Sequence, residues 1–278
     1  MKKELSQISI VLYFNNIRGL KILKYLIKKK LKIIKIIVSK KNLNESVLPY
    51  IKKSEIPFSK ITSINTEYNK KLIQKNDLIL LCGFPYILKS KLIALSNLGI
   101  LNCHAGLLPK YRGGSPLNWQ LINNEKYFGI SIIKINNKID GGEIVSEKKF
   151  KLKKTYTIKD LHRIANNNFP KILYKSIIKI MKNKKNKKQP SKLNSYFPQR
   201  KPKDSLLKFN QMNFIEIDCF VRALQSPYPN AFIINNNKKI LIKKVKKIGT
   251  KHSSGNILSV TKKKIYFNCK DAYVEASI

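Results

Sequence analysis

The stretch Leu101-Asn-Cys-His-Ala-Gly-Leu-Leu-Pro-Lys-Tyr-Arg-Gly-Gly-Ser-Pro-Leu-Asn-Trp119 decides how the rest of the chain reads. It continues a short apolar run over residues 98–101, the mark of a buried strand, into a loop too rich in Gly and Pro for regular structure. Open α/β sheets place their chemistry there, beyond the carboxyl ends of their strands. Asn102 and His104 stand two residues apart, and the period of two in a strand turns both side chains to one face.

Upstream, residues 8–14 are continuously apolar, as in a parallel strand buried on both faces. Residues 17–30 then carry Leu20, Ile22, Leu23, Leu26 and Ile27 at helical spacing. Residues 31–38 read as a second strand, and this β-α-β opening predicts an α/β fold with a doubly wound sheet. A helix over 45–53, a short strand over 57–61 and a buried strand over 77–82 follow, the last ending in Gly83-Phe84-Pro85-Tyr86. No G-x-G-x-x-G lies between the first strand and its helix, which weighs against a dinucleotide site.

Downstream, Pro116 can open a helix that runs to residue 123, and residues 127–135 and 143–150 read as strands joined by a turn-rich connection. Residues 155–181 form a long helical pattern with Thr157 and Asp160 in its first turn. A lysine and asparagine run closes at Pro190 and reads as an exposed linker. Residues 213–224 suit a short helix. Residues 231–278 alternate short strands, split by Asn235-Asn-Asn237, Gly249 and Gly255, and suit a small open barrel. The expected division is a catalytic domain over 1–182, a linker over 183–202 and a small, OB-like C-terminal β-barrel over 203–278.

Composition limits the function classes. At 278 residues there is ample chain for a buried core. No run of about 18 apolar residues signals a membrane span, and residues 1–7 show no secretory pattern, so a cytoplasmic protein is the expectation. Cys82, Cys103, Cys219 and Cys269 are far apart and show no metal-ligand spacing, so they read as reduced, buried thiols, and no metal is expected. A formal charge of +42 suggests a nucleic-acid partner, yet only five of the 57 basic residues are Arg, and the lysines are spread over every segment beside many Asn and Ile. That mixture fits compositional drift better than a selected polyanion site.

Asn102-x-His104 followed by Gly106-Leu107-Leu108-Pro109-Lys110-Tyr111-Arg112-Gly113, with Ile139-Asp140-Gly-Gly-Glu-Ile-Val145 further on, resembles the folate-dependent formyltransferase family. Its members include methionyl-tRNA formyltransferase and the nucleotide-sugar N-formyltransferases. The resemblance covers most of the chain. Phe197-Pro-Gln-Arg-Lys-Pro202, Phe220-Val-Arg-Ala-Leu224 and Pro227-Tyr-Pro-Asn-Ala-Phe232 are similar to the start of the family's C-terminal domain. It implies a Rossmann-like sheet holding 10-formyltetrahydrofolate as co-substrate. By the same resemblance Asn102, His104 and Asp140 are the catalytic set, while Gly83, Phe84, Pro85, Tyr86, Gly106, Leu107, Leu108, Pro109 and Ile139 surround the folate. Without it, Gly83–Tyr86 would read as an ordinary strand-to-helix turn. One departure is that the family's Ser-Leu-Leu-Pro stands as Gly106-Leu-Leu-Pro109.

Formyl transfer to an amine needs an unprotonated nucleophile, stabilisation of an oxyanion and a proton route to the leaving nitrogen. His104 suits the proton work, Asn102 can donate to the oxyanion, and Asp140 can orient the imidazole. Singly, each would read as a structural His or a turn residue; their joint occurrence with the family's spacing reverses this. His162 and His252 lie in lysine-rich settings and read as structural or solvated. Lys110, Tyr111 and Arg112 border the expected pocket and could meet a phosphate. Asn118 and Trp119 could meet a sugar or base, with a core anchor as the equal alternative for Trp119.

The tRNA enzymes of the family are expected to carry a basic Pro-Asp-Arg-x-x-Gly-Arg-Gly loop after the second strand. Here that place reads Ser39-Lys-Lys-Asn-Leu-Asn-Glu-Ser-Val47. The expected acceptor is therefore an amino sugar on a nucleotide diphosphate, with initiator methionyl-tRNA as the alternative. A non-catalytic RNA-binding relative is the remaining reading, against which the intact Asn102, His104 and Asp140 argue. The sequence leaves a homodimer open.

Overall fold

The computed structural model describes residues 4–190, 194–251 and 257–278; His252 and Gly255 lie outside them, as does the start of the N-terminal stretch. Two compact units interleave along the chain. Met1–Arg112, Gly129–Lys149 and Ile164–Tyr196 make the first, and Gly113–Phe128, Phe150–Arg163 and Phe197–Ile278 the second.

In the first unit run β1 (Ile10–Phe14), β2 (Ile33–Ser39), β3 (Phe58–Ile61), β4 (Leu78–Cys82) and β5 (Ile100–His104). After the two-residue β6 (Arg112–Gly113) come β7 (Tyr127–Lys134) and β8 (Glu143–Lys151). Seven of them form one sheet in the order β3-β2-β1-β4-β5-β7-β8. The pairs from β3 to β5 are parallel, and β7 joins β5 antiparallel, setting Ser131 opposite His104. All five residues of β1 and of β4 are buried, because helices on both faces leave no side for polar residues. Strand order reverses between β1 and β4, and Asn16 joins the two strand ends there: its side chain caps the next helix and its Nδ2 donates to the Gly83 carbonyl.

The helices of this unit are α1 (Ile17–Lys28), α2 (Leu48–Lys53), α3 (Glu67–Gln74) and α4 (Ser90–Ile93). The helix expected over 45–53 divides into a 3₁₀ turn, Glu45–Val47, and α2. Pro49 is the cause, since it has no N–H to bond the carbonyl of residue 45 and continue one α-helix. Sequence reading assigned no element to α3, which is held by Thr66 as its cap and by Tyr13, whose buried hydroxyl donates to Asn69 Oδ1 at 3.0 Å. Burial pushes the Tyr13 phenol well above its usual range, so it remains a donor.

In the second unit, α5 (Pro116–Ile122) opens on proline as expected. The 24-residue α6 (Ile158–Met181) begins here and ends in the first unit. A two-residue β9 (Tyr196–Phe197) then leads to α7 (Phe214–Ala223), which starts in a capping box of Asn213 and Glu216. The C-terminal strands are a hairpin of β10 (Ala231–Asn235) and β11 (Lys238–Ile242), and an antiparallel sheet of β12 (Lys244–Gly249), β13 (Ile257–Val260), β14 (Lys264–Asn268) and β15 (Tyr273–Ser277). With α7 they enclose a core of Ile217, Val221, Ile233, Ile265, Phe267 and Val274, giving a small barrel-like domain. His162, read as structural or solvated, stacks on Tyr228 and hydrogen-bonds its hydroxyl at 2.9 Å; 66 residues separate the two, so no local pattern announces the pair.

Residues 183–190 are largely exposed and belong to the first compact unit, and they are not loose throughout. Lys187 and Ile144 exchange two main-chain hydrogen bonds, of 2.8 and 3.0 Å, and Asn186 Nδ2 donates to Glu143 Oε2. All four cysteines are buried thiols; Cys82 and Cys103 lie with sulfurs 3.5 Å apart on neighbouring strands, where burial pushes the Cys82 thiol well up. Among the described residues no helix is long and apolar enough to cross a membrane.

Candidate active site

The centre of the site is the carboxyl end of β5. Cys103 is buried on one face of the sheet, while Asn102 and His104 share the other, as a period of two requires. The turn after β7 brings Asp140 to both. Asn102 Nδ2 donates to Asp140 Oδ1 at 3.3 Å, and His104 Nδ1 lies 3.4 Å from Asp140 Oδ2. The other imidazole nitrogen, Nε2, is 2.6 Å from the Tyr111 carbonyl oxygen. Both neighbours of the ring are acceptors, so a neutral imidazole can donate to one of them and an imidazolium to both. His104 is only 5% exposed, which leaves little water to compete with these partners.

Local backbone geometry builds this contact. Tyr111 and Asp140 both sit in the left-handed region, with φ of 62° and 46°. For residues other than Gly that conformation costs on the order of 1 kcal/mol and persists only where the surroundings fix it. Gly106 makes room for the ring: a Cβ there would lie 2.6 Å from His104 Nε2 and 2.8 Å from the Tyr111 oxygen. The departure from the family's Ser at this position therefore accompanies a tight His104–Tyr111 contact. Leu108 packs with Ile133 and Ile144 beneath the loop, and Leu107 lies against Gly129.

Gly83, Phe84, Pro85 and Tyr86 are half-buried beyond the end of β4. The Phe84 ring packs edge-on between Tyr13 and Tyr86, forming an aromatic wall, and residues 84–89 are in neither helix nor strand. Main-chain groups outside a ladder beside an aromatic wall fit a flat heterocycle with an amide edge. Ile139 is exposed next to Asp140. Lys110 is exposed and Arg112 half-buried in the same unit. Asn118 and Trp119 belong to the other unit. There Asn118 is buried and its amide donates to the Ala223 carbonyl, while Trp119 Nε1 donates to the Pro198 carbonyl and its ring is flanked by Phe197 and Arg200. Among the described residues no three His, Cys, Asp or Glu side chains gather as a metal site.

One residue escaped sequence reading. Gln189, in the lysine and asparagine run, donates to the carbonyls of Asp140 and Gly142 and accepts from Arg112. Nothing local marks it; the only sequence signal is a glutamine among lysines directly before Pro190.

The profile of the formyl transferase family matches residues 17–177, and that of its C-terminal domain matches residues 200–277. The bifunctional polymyxin resistance protein ArnA of Wigglesworthia glossinidia brevipalpis is 39% identical over 199 residues, 70% of this chain and 30% of that protein. A methionyl-tRNA formyltransferase of Malacoplasma penetrans is 27% identical, across 80% of this chain and 75% of its own length. The chain thus spans under a third of ArnA and about three quarters of the tRNA enzyme. Among solved structures, WlaRD, a sugar 3N-formyl transferase crystallised with dTDP and 5-N-formyl-THF, superposes with a TM-score of 0.74 at 22% identity, over 99% of this chain and 98% of that one. An N-formyltransferase from Helicobacter canadensis, in complex with folinic acid and dTDP-3-aminofucose, superposes with a TM-score of 0.71 at 22% identity, covering 97% and 98%. With matches to both of its domains, the chain belongs to the formyl transferase family.

Proposed function

We propose that the protein moves the formyl group of 10-formyltetrahydrofolate onto the amino group of a nucleotide-linked amino sugar. The observation that carries the chemistry is the Asp140 carboxylate bridging Asn102 and His104 at the end of β5. When bound, the folate supplies an activated formyl carbon, and its nitrogen leaves with a proton as the acceptor amine forms the new C–N bond. An amide nitrogen carries two hydrogens; Asn102 donates one as a hydrogen bond to Asp140, leaving the second to donate to the formyl oxygen as its charge grows. His104 is assigned the proton that the amine gives up and that the leaving nitrogen receives, a role in which one ring nitrogen exchanges its protein acceptor for the substrate. Asp140 orients the ring and stabilises it while it is charged.

The acceptor is inferred from two observations. The connection after β2 is short and lacks the Arg- and Gly-rich insertion expected of a tRNA enzyme. Asn15 Nδ2 donates to the carbonyls of Ser39 and Lys41, Asn15 Oδ1 accepts from Ser39 N, and Asn44 N donates to the Asn15 carbonyl, so the chain folds tightly back to the 3₁₀ turn. Among structural neighbours, WlaRD is a sugar 3N-formyl transferase crystallised with dTDP, and the Helicobacter canadensis enzyme was crystallised with dTDP-3-aminofucose. Initiator methionyl-tRNA is the second reading, supported by the relative from Malacoplasma penetrans, which is similar across most of both chains.

The test offers 10-formyltetrahydrofolate with a panel of dTDP-linked 3-amino and 4-amino sugars and, separately, initiator methionyl-tRNA. Turnover on a sugar nucleotide with none on the tRNA supports the proposal. Turnover on the tRNA alone overturns the acceptor, and no turnover on either overturns the reaction.

A further inference from the structure

Gln189 spends its whole hydrogen-bonding capacity at the site. Its Nε2 donates to the carbonyl oxygens of Asp140 at 2.8 Å and Gly142 at 2.6 Å. Its Oε1 accepts from Arg112 Nε at 3.0 Å and Nη2 at 2.8 Å. Two donors and two acceptor sites are all that a primary amide has. The two segments it joins are those that hold the His104 ring. Asp140 faces Nδ1, and Tyr111, directly before Arg112, faces Nε2.

We propose that Gln189 is a positioning residue for the reaction, acting through the Asp140–Gly142 turn to keep the Asp140 carboxylate against Asn102 and His104. The inference rests on the catalytic reading of Asp140 given above. Asp140 is left-handed at φ 46°, which costs energy outside glycine; Asn136 Nδ2 holds the Gly141 carbonyl of the turn, and Gln189 takes the carbonyls on either side of it, those of Asp140 and Gly142. Gly142 packs backbone to backbone, since a Cβ there would lie 1.9 Å from the Lys134 carbonyl oxygen. No side chain at 142 can therefore brace the turn from inside. Gln189 is itself fixed, because Lys187 and Ile144 bond each other in both directions two residues earlier. A glutamine serving only to tie down the linker would need one of these four bonds, and it would not need to grip Arg112.

Removing the clasp lets Asp140 drift by a fraction of an ångström to an ångström, and misplacement of that size costs roughly 10- to 100-fold in turnover. Gln189→Ala is expected to lower kcat by about that factor while KM for 10-formyltetrahydrofolate stays within about threefold, because the lost interaction acts on the chemical step. Gln189→Glu separates the two halves of the fork. Its carboxylate still accepts from Arg112 but donates nothing to the two carbonyls, so it is expected to be as slow as Gln189→Ala. Gln189→Asn keeps both groups one methylene short and serves if the alanine variant does not fold. Rates are measured with 10-formyltetrahydrofolate and the sugar nucleotide that the panel turns over fastest, alongside Asp140→Ala and the thermal midpoint of every protein.

Wild-type kcat in folded Gln189→Ala, beside an inactive Asp140→Ala, overturns the proposal and leaves the catalytic reading standing. Wild-type kcat in Gln189→Glu overturns it in another way, by making Arg112 the target rather than the turn. An active Asp140→Ala overturns the catalytic reading, and the proposal falls with it.

Discussion

A Cβ at Gly106 would lie 2.6 Å from His104 Nε2, as near as the Tyr111 carbonyl that the ring already bonds. Gly106→Ala is therefore expected to break the His104–Tyr111 contact and to lower kcat about tenfold or more in a folded protein, read by steady-state rates beside circular dichroism. Gly106→Ser, which restores the residue usual in the family, should do no better, because its hydroxyl arrives on the same intruding carbon. Asn102 is tested by truncation. If its amide steadies the formyl oxygen, Asn102→Ala loses roughly 10²- to 10³-fold in kcat, the usual result of deleting an oxyanion donor. A loss confined to KM would show that Asn102 binds substrate without favouring the transition state.

Helix ends carry the clearest stability expectations. Asn213 and Glu216 cap each other's main-chain N–H at the start of α7, so Asn213→Ala is expected to cost about 1 kcal/mol in denaturant unfolding. At the start of α6 the Asp160 carboxylate accepts from Thr157 N and Oγ1, which holds its pKa below the usual carboxylate value. The folded value is depressed, so this contribution is complete above the ordinary carboxylate range. It is lost as pH falls from there through the lowered value. Acid unfolding of Asp160→Asn should accordingly show less dependence on pH below about 4 than the wild type. Element by element, the parallel sheet was legible because strands buried on both faces are written as unbroken apolar runs, such as Ile10–Phe14 and Leu78–Cys82. Asn102 and His104 were legible from the period of two, and Asp140 only through its spacing in the family motif. What sequence reading missed is tied to distant partners: α3, an eight-residue helix anchored by a buried Tyr13–Asn69 bond, and Gln189, whose partners lie 47 to 77 residues away. Reading Asn118 and Trp119 from their nearness to Arg112 in sequence could not show that they fall in the other compact unit.

At the scale of the molecule the +42 charge is a lysine charge. Each of the five arginines is engaged within the protein. Arg18 bonds Asn166 over Phe169, Arg112 bonds Gln189, Arg163 pairs with Asp160, Arg200 lies against Trp119 and Phe220, and Arg222 pairs with Asp218. Scattered lysines bind polyanions by charge alone, so affinity for initiator tRNA and for bulk tRNA should agree within about threefold and fall together as salt is raised. A marked preference for the initiator would mean that the charge is organised for it. The main-chain pairing of Lys187 with Ile144 also sets where the segment after α6 opens: limited proteolysis should cut at the exposed 182–185 and spare 186–189. The central claim is that Asn102, His104 and Asp140 together perform the transfer, and single-turnover formyl transfer by folded His104→Ala tests it most directly. Loss of about 10² to 10⁴ in rate, with the wild-type melting profile retained, is the expected result. A near-normal rate would contradict the assignment.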